Sequence, residues 1–408
     1  MIKNIPKKLR RIVNRGNIVN LFTAPQSLRH ALAHEWKNGL GPVAESLLER
    51  EFVHVASFTS KNAGDTLLPT VLRDLFSLNI GGIEWRAQHV YDGIGSHEVR
   101  KLNRAKALVL GGGGLFLGDT NRNSVSGWQW PISEANIRNL SPKLIVFAVG
   151  YNKFRGQDEF GGNFTATVRA LAERSVFFGL RNHGSIESIK SYLPIELHEK
   201  VRFQPCMTTV LRNIYPLKFQ AEESSTEKVI ALNCAFDRSH LRFGANQAEI
   251  LRTIARVMQK LSENHRLCYF SHSRNDDIAL DALAAENVPI EHVRLYDMPP
   301  GYVIDCYKKA KLTIGMRGHA QMIPFGCGGA ILSLISHNKM RWFLDDIRCP
   351  DLGVEIESPT LYDDLLRQCE SILGDMDNVT RRLDAARANL WDITSNNMSE
   401  IRQALQLQ

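Results

Sequence analysis

Residues 52–78 read FVHVASFTSKNAGDTLLPTVLRDLFSL. The stretch holds an apolar run from Phe52 to Phe58, a polar turn over residues 60–65, and apolar residues at helical spacing from Thr66 to Leu78. A strand that passes through a short polar turn into a helix is the opening of a βαβ unit, the building block of parallel sheets covered by helices.

The same alternation continues outward from there. Ala107 to Leu110, Leu144 to Val149 and Val176 to Leu180 read as further strands, and Phe164 to Arg174 reads as a helix. A polar stretch at residues 221–227 then interrupts the pattern and suits a linker. Beyond it, Val229 to Leu232, Leu267 to Phe270, Leu312 to Ile314 and Ala330 to Leu334 read as a second set of strands, with helices near Gln247 to Leu261, Gly301 to Lys309 and Gln321 to Phe325. The reading is therefore an N-terminal extension (1–50), a Rossmann-like domain (51–212), a linker (213–228), a second Rossmann-like domain (229–358) and C-terminal helices (359–408). Two such sheets leave a cleft at the carboxyl ends of their strands, where open α/β folds bind ligands.

Composition narrows the function classes. The chain has 408 residues, 44% hydrophobic and 23% charged, enough for two packed cores. Its formal charge of +7 is concentrated in residues 1–34, which carry Lys3, Lys7, Lys8, Arg10, Arg11, Arg15 and Arg29 and no acid. The remainder is electrically balanced, which argues against a nucleic-acid partner. A basic arm with interspersed apolar residues suits either a solvated tail or peripheral contact with an anionic inner membrane face. With neither a spanning segment nor a signal peptide, the expected location is the cytoplasm. The seven cysteines lie singly with no CxxC pair, which reads as reduced core thiols. No HExxH, GxSxG or Walker pattern occurs, and neither a metal nor a bound cofactor is expected. No feature of the sequence specifies an oligomeric state.

Four segments at strand ends carry the chemistry. In the first, residues 60–65, Asn62 and Asp65 can cap the helix start and Gly64 lets backbone approach a ligand; an anion site and a plain capping turn both fit. The second is Gly111 to Gly114, read as a loop after the strand Ala107 to Leu110. So many glycines are costly in a simple turn but let amides, those of Gly113 and Gly114 among them, converge on a phosphate or carboxylate. The third holds Arg181, His183 and Ser185, where an arginine fork can meet an oxyanion. The fourth is Arg317-Gly318-His319, a permanent cation and a group titrating near neutrality flanking one glycine, which suits binding an anion while moving a proton. A softer signal, Ser271 to Asp276, places His272 and Asp276 after another strand.

In order and spacing, Asn62 to Asp65, Gly111 to Gly114, Arg181 with Ser185, and Arg317-Gly318-His319 with Lys339 resemble the polysaccharide pyruvyltransferase family over residues 52–345. The resemblance implies a GT-B-like architecture, phosphoenolpyruvate as co-substrate, and a pyruvate ketal formed on a cell-surface polysaccharide or its lipid-linked precursor. It also implies Arg317 and Arg181 on the donor's phosphate or carboxylate, His319 as the acid/base, and Asn62, Gly64, Asp65, Gly113, Gly114, Ser185 and Lys339 around the donor. Asp119, His183, His272 and Asp276 are the candidate contacts to a glycan acceptor. The sequence departs from the family pattern at Pro324, Gly328-Gly329 and His183. Two alternatives share these features: a GT-B glycosyltransferase using a nucleotide sugar, and a non-catalytic glycan-binding or scaffold member.

Overall fold

The computed structural model describes residues 50–59, 61–220 and 228–406. The basic arm and its membrane contact, Ser60 of the first motif, and residues 221–227 of the linker lie outside the described residues.

The first sheet contains β1 (Arg50–Ala56), β2 (Ile83–His89), β3 (Ala107–Phe116), β4 (Lys143–Tyr151), β5 (Ser175–Leu180) and β6 (Val201–Phe203), in the order β2-β1-β3-β4-β5-β6, all parallel. The second contains β7 (Val229–Asn233), β8 (Leu267–Ser271), β9 (Ile290–Arg294), β10 (Ala310–Gly315), β11 (Ala330–Ile335) and β12 (Gly353–Glu355), in the order β12-β11-β10-β7-β8-β9, again parallel. The central strands are buried along almost their whole length because helices cover both faces.

Three differences from the sequence reading have physical causes. The four edge strands were not anticipated: β2 and β9 carry charge in their alternation, as in Glu84 and Arg86, rather than a continuous apolar run, and β6 and β12 are only three residues long. β3 does not stop at Leu110 but runs through the glycines to Phe116. Residues 211–214 and 216–220 form short helical turns, so the interdomain crossing is partly helical.

Helix α1 (Ala63–Ile80) follows β1, α2 (His183–Lys190) follows β5, α3 (His319–Cys327) follows β10 and α4 (Asn338–Asp346) follows β11. Their N-termini all point from strand ends toward the space between the sheets. The C-terminal segment is two helices, α5 (Leu361–Gly374) and α6 (Met376–Ala404). α6 spans both domains: Arg387 Nε donates to the Phe325 carbonyl at 2.6 Å, and Asn397 Nδ2 donates to the Phe203 carbonyl at 2.9 Å. Among the described residues no helix is long and apolar enough to cross a membrane.

Candidate active site

Each sheet has one place where neighbouring strands lead off in opposite directions: between β1 and β3 in the first sheet and between β7 and β10 in the second. Such switch points open a crevice beyond the strands' carboxyl ends. The two crevices face each other and merge into a cavity of about 240 Å3, lined from the first domain by Asn62, Asp65, Gly112 to Gly114 and Arg181, and from the second by Asp237, His272, Arg317, His319 and Lys339.

The glycine run shapes the floor as a distorted strand rather than a loop. Gly112 and Gly113 adopt φ of 78° and 99°, a left-handed region that side chains rarely enter, and the β3–β4 register shifts between Gly113 and Phe116. Across the ladder Ala148 is also left-handed, at φ 53°. His54 ties the bulge down. Its Nδ1 accepts from Arg73 Nε at 3.3 Å, so Nε2 carries the proton and donates to the Gly111 carbonyl at 3.1 Å.

Arg317 is buried and already saturated. Nε and Nη2 grip the two carboxylate oxygens of Asp276, Nε at 2.8 Å and Nη2 at 2.5 Å; Nη2 also donates to Ser273 Oγ at 3.0 Å, and Nη1 donates to Asp237 Oδ1 at 2.8 Å. Asp276 in turn accepts from the amides of His272 and Ser273 and is wholly buried. Asp237 is held far below the usual carboxylate range despite burial, by Arg242, Arg317 and Lys339. The expectation that the Arg317 fork lies open to a donor is therefore revised: the carboxylate it grips is Asp276. Asp276 as an acceptor contact is revised for the same reason.

Arg181 is the opposite case. It is buried, its Nε has no hydrogen-bond partner, and burial lowers its pKa. Its guanidinium lies against Gly150, where a Cβ would come within 2.3 Å of Nε. Lys339 reaches across from α4 to donate to Asn152 Oδ1 at 3.1 Å. Burial, then the nearby Arg242, drives its pKa well below that of an ordinary lysine. Desolvation thus disfavours the charged forms of two cations that line the same cavity.

His319 opens α3, and its Nδ1 lies where a Cβ on Gly64 would be, at 2.2 Å. Gly64 is thus the space the imidazole occupies. The other nitrogen, Nε2, lies 3.9 Å from Cys206 Sγ. Burial, then Arg181, His272 and Lys339, pushes the His319 pKa well below its usual value, so the ring is neutral at physiological pH. Asp65 stands at the third position of α1, whose N-cap Asn62 accepts from the Gly64 amide at 2.9 Å. Burial raises the Asp65 pKa to about 6 even though Arg317, Lys339 and Arg181 act to lower it.

Three of the remaining expected residues, Ser185, His183 and Asp119, lie outside the cavity lining. Ser185 is buried beneath it, accepting from the Tyr151 amide at 3.0 Å. His183 is exposed and paired with Asp346 at 2.7 Å, and Asp119 forms an interdomain ion pair with Arg238. His272 does line the cavity, at its floor, with Nε2 against the Tyr307 hydroxyl. Ser185, His183 and Asp119 thus stand beside the cavity rather than in its lining. The sequence reading overlooked Asp237, Arg238 and Arg242, although they follow β7 in the same strand-end position that marked the other motifs. Pro324 lies inside α3 and Gly328, at φ 95°, forms its left-handed C-cap, so neither disturbs the helix start at His319. Among the described residues no cluster of three metal-ligating side chains occurs.

The fold is shared with solved structures at very low identity. MnaA of S. aureus, solved with UDP, is 10% identical with a TM-score of 0.56, covering 88% of this chain and 98% of that one. A putative UDP-N-acetylglucosamine 2-epimerase from Listeria monocytogenes is 9% identical with a TM-score of 0.53, covering 83% and 92%. The UDP-GlcNAc 2-epimerase of Neisseria meningitidis, bound to UDP-GlcNAc, is 10% identical with a TM-score of 0.52, covering 88% and 100%. These likenesses establish the two-domain GT-B arrangement. No curated protein matches the sequence. The family model for polysaccharide pyruvyl transferase, however, matches residues 38–335, which takes in the glycine bulge, Arg181 and Arg317-Gly318-His319. By that match over most of its length, the chain belongs to the polysaccharide pyruvyl transferase family.

Proposed function

We propose that the protein transfers the pyruvyl group of phosphoenolpyruvate to two hydroxyls of a glycan, forming a ketal and releasing phosphate. The observation that carries this reading is the pairing of a buried, unpartnered Arg181 with a neutral His319 in one small cavity. Phosphoenolpyruvate is compact and carries a phosphate and a carboxylate. Arg181 offers a fork for one, Lys339 a point charge for the other, and the N-terminus of α1 adds a favourable dipole.

The family assignment supports a pyruvyl donor, and the cavity volume, small among ligand pockets, supports a compact one. Removal of water on binding strengthens each of these contacts. His319, neutral before binding, is fit to accept a proton from an acceptor hydroxyl. Arg317 acts one step removed: gripped by Asp276 and Asp237, it fixes the turn that presents His319.

The solved structures that carry UDP or UDP-GlcNAc favour a second reading, a nucleotide-sugar substrate. Calorimetric titration of the protein with phosphoenolpyruvate and with UDP-GlcNAc separates the two. Binding of phosphoenolpyruvate alone is expected; binding of UDP-GlcNAc alone would replace this reading with the second.

A further inference from the structure

Ketal formation from an enol phosphate needs two proton carriers with opposite starting states. One must hold a proton to give to the enol methylene, and the other must be empty to receive a hydroxyl proton. His319, neutral and surrounded by Arg181, His272, Lys339 and Arg317, starts without an extra proton. The cavity wall offers a second ionisable group beside it. Asp65 follows Gly64, whose Cα packs on the His319 ring, and its carboxyl lines the same cavity at the first turn of α1.

As an ionised carboxylate Asp65 is a poor donor-binding group, because it would repel both the phosphate and the carboxylate of the donor. As a neutral acid it fits. We propose that Asp65 is the catalytic acid that protonates the methylene carbon of the donor, with His319 as the base for the acceptor. This rests on the pyruvyl-transfer reading above.

The proton balance closes over one turnover. The Asp65 proton forms a bond to C3 using the C2–C3 π electrons, leaving C2 electron-deficient. The first acceptor oxygen bonds to C2, and its proton passes to His319. The C2–O bond to phosphate then breaks, phosphate leaving with the electron pair and the proton from His319. The second hydroxyl oxygen bonds to C2, and its proton returns to Asp65. One donor and one diol become one ketal and one hydrogen phosphate, and both side chains are restored.

The electrostatics agree with this assignment. The charged and titratable groups around the carboxyl come from every wall: Arg317 and His319 after β10, Asp237 after β7, Lys339 on α4, Arg181 after β5 and Tyr91 after β2. Burial outweighs the cations and holds the pKa at about 6, so an arriving anion tips Asp65 to its neutral form near pH 7.

Two measurements on the full chain test the proposal. In the first, wild type and Asp65→Asn are titrated with phosphoenolpyruvate at pH 7 in buffers of different ionisation enthalpy. Wild type is expected to take up more protons on binding than Asp65→Asn, while the variant binds at least as tightly. In the second, phosphate release is followed with a panel of 4-nitrophenyl hexopyranosides. Asp65→Asn is expected to lose about 10²–10⁴-fold in kcat with little change in KM, and Asp65→Glu to recover part of the loss. Equal proton uptake in the two proteins, wild-type kcat in Asp65→Asn, or a loss confined to KM would overturn the role of Asp65. A wild-type protein that binds no phosphoenolpyruvate would instead overturn the transfer reading on which it rests.

Discussion

Arg317 and Arg181 both stand just beyond the end of a parallel strand, both are buried and both reach the same cavity, yet their surroundings are opposite. Arg317 is gripped by two carboxylates and a serine hydroxyl, and these partners raise its pKa although burial opposes them. Arg181 has a buried Nε with no partner, and its pKa falls. A buried arginine that is fully paired holds its partners in place, whereas one with an unpaired nitrogen is the better candidate to receive a ligand. The sharper sequence motif marks the paired arginine, and the less distinctive one marks the cation proposed to meet the donor.

The largest effect that would break this contrast is on stability. Arg317→Met leaves Asp276 and Asp237 as buried, uncompensated charges and is expected to cost about 3–5 kcal/mol in urea denaturation. An unchanged midpoint would show that the carboxylates do not depend on Arg317. Arg181→Met is expected to behave in reverse. It removes an unpartnered buried cation, so stability should hold or rise. Affinity for phosphoenolpyruvate should fall roughly a hundredfold, in line with about 1.5–3 kcal/mol for a charged hydrogen bond. Retained affinity in a folded Arg181→Met protein would remove Arg181 from the donor site.

The Arg317 side also predicts a pH dependence. His272 is buried, and burial together with Arg317 lowers its pKa to about 3 from an ordinary value of 6.5. Below pH 6.5 the unfolded chain therefore binds a proton that the native chain refuses. Stability should fall by about 1.4 kcal/mol per pH unit for this one group, until the native ring also protonates near 3. Denaturation midpoints compared at pH 7 and pH 5 should thus show a smaller loss in His272→Gln than in wild type; an equal loss would mean the ring is not held neutral.

Two smaller changes sharpen the geometry. A methyl group at Gly150 would overlap the Arg181 guanidinium, so Gly150→Ala should weaken donor binding about tenfold without removing any charge. An unaltered affinity would mean that Arg181 relaxes freely. Asp119→Asn loosens the half-buried tie to Arg238 and the bond from Gln157, and a change in KM of less than about fivefold is expected, equivalent to under 1 kcal/mol. A larger effect would make that tie a determinant of cleft closure.

Much of the fold was legible because apolar strand runs and helical spacing are local signals. The central strands β1, β3 to β5, β7, β8, β10 and β11 came from apolar runs, whereas the edge strands escaped, β2 and β9 because they present charge to solvent and β6 and β12 because they are only three residues long. The position of the cleft was legible too, since glycines, arginines and a histidine clustered where strands end. What sequence could not supply was pairing. Nothing in the residues around Arg317 indicates that Asp276 and Asp237, far upstream, close on it, because those contacts arise only when β7, and β8 beyond it, are laid against β10. Likewise Asp65 reads as a helix-capping carboxylate until its burial among Arg181, Lys339 and His319 is seen. The glycine run misled in a third way: left-handed glycines read as a loop, but here they form a bulge inside β3 that the ladder to β4 holds together.

The proposed reaction takes a pyruvyl donor into this cavity and passes it to a sugar. It is tested most directly by incubating the protein with phosphoenolpyruvate and glycan acceptors and following inorganic phosphate and the ketal methyl signal together. Phosphate and ketal appearing in equal amounts, lost in Arg181→Met and in His319→Ala while both variants remain folded, is the predicted result. Phosphate release without a ketal methyl, or full turnover in either variant, would contradict it.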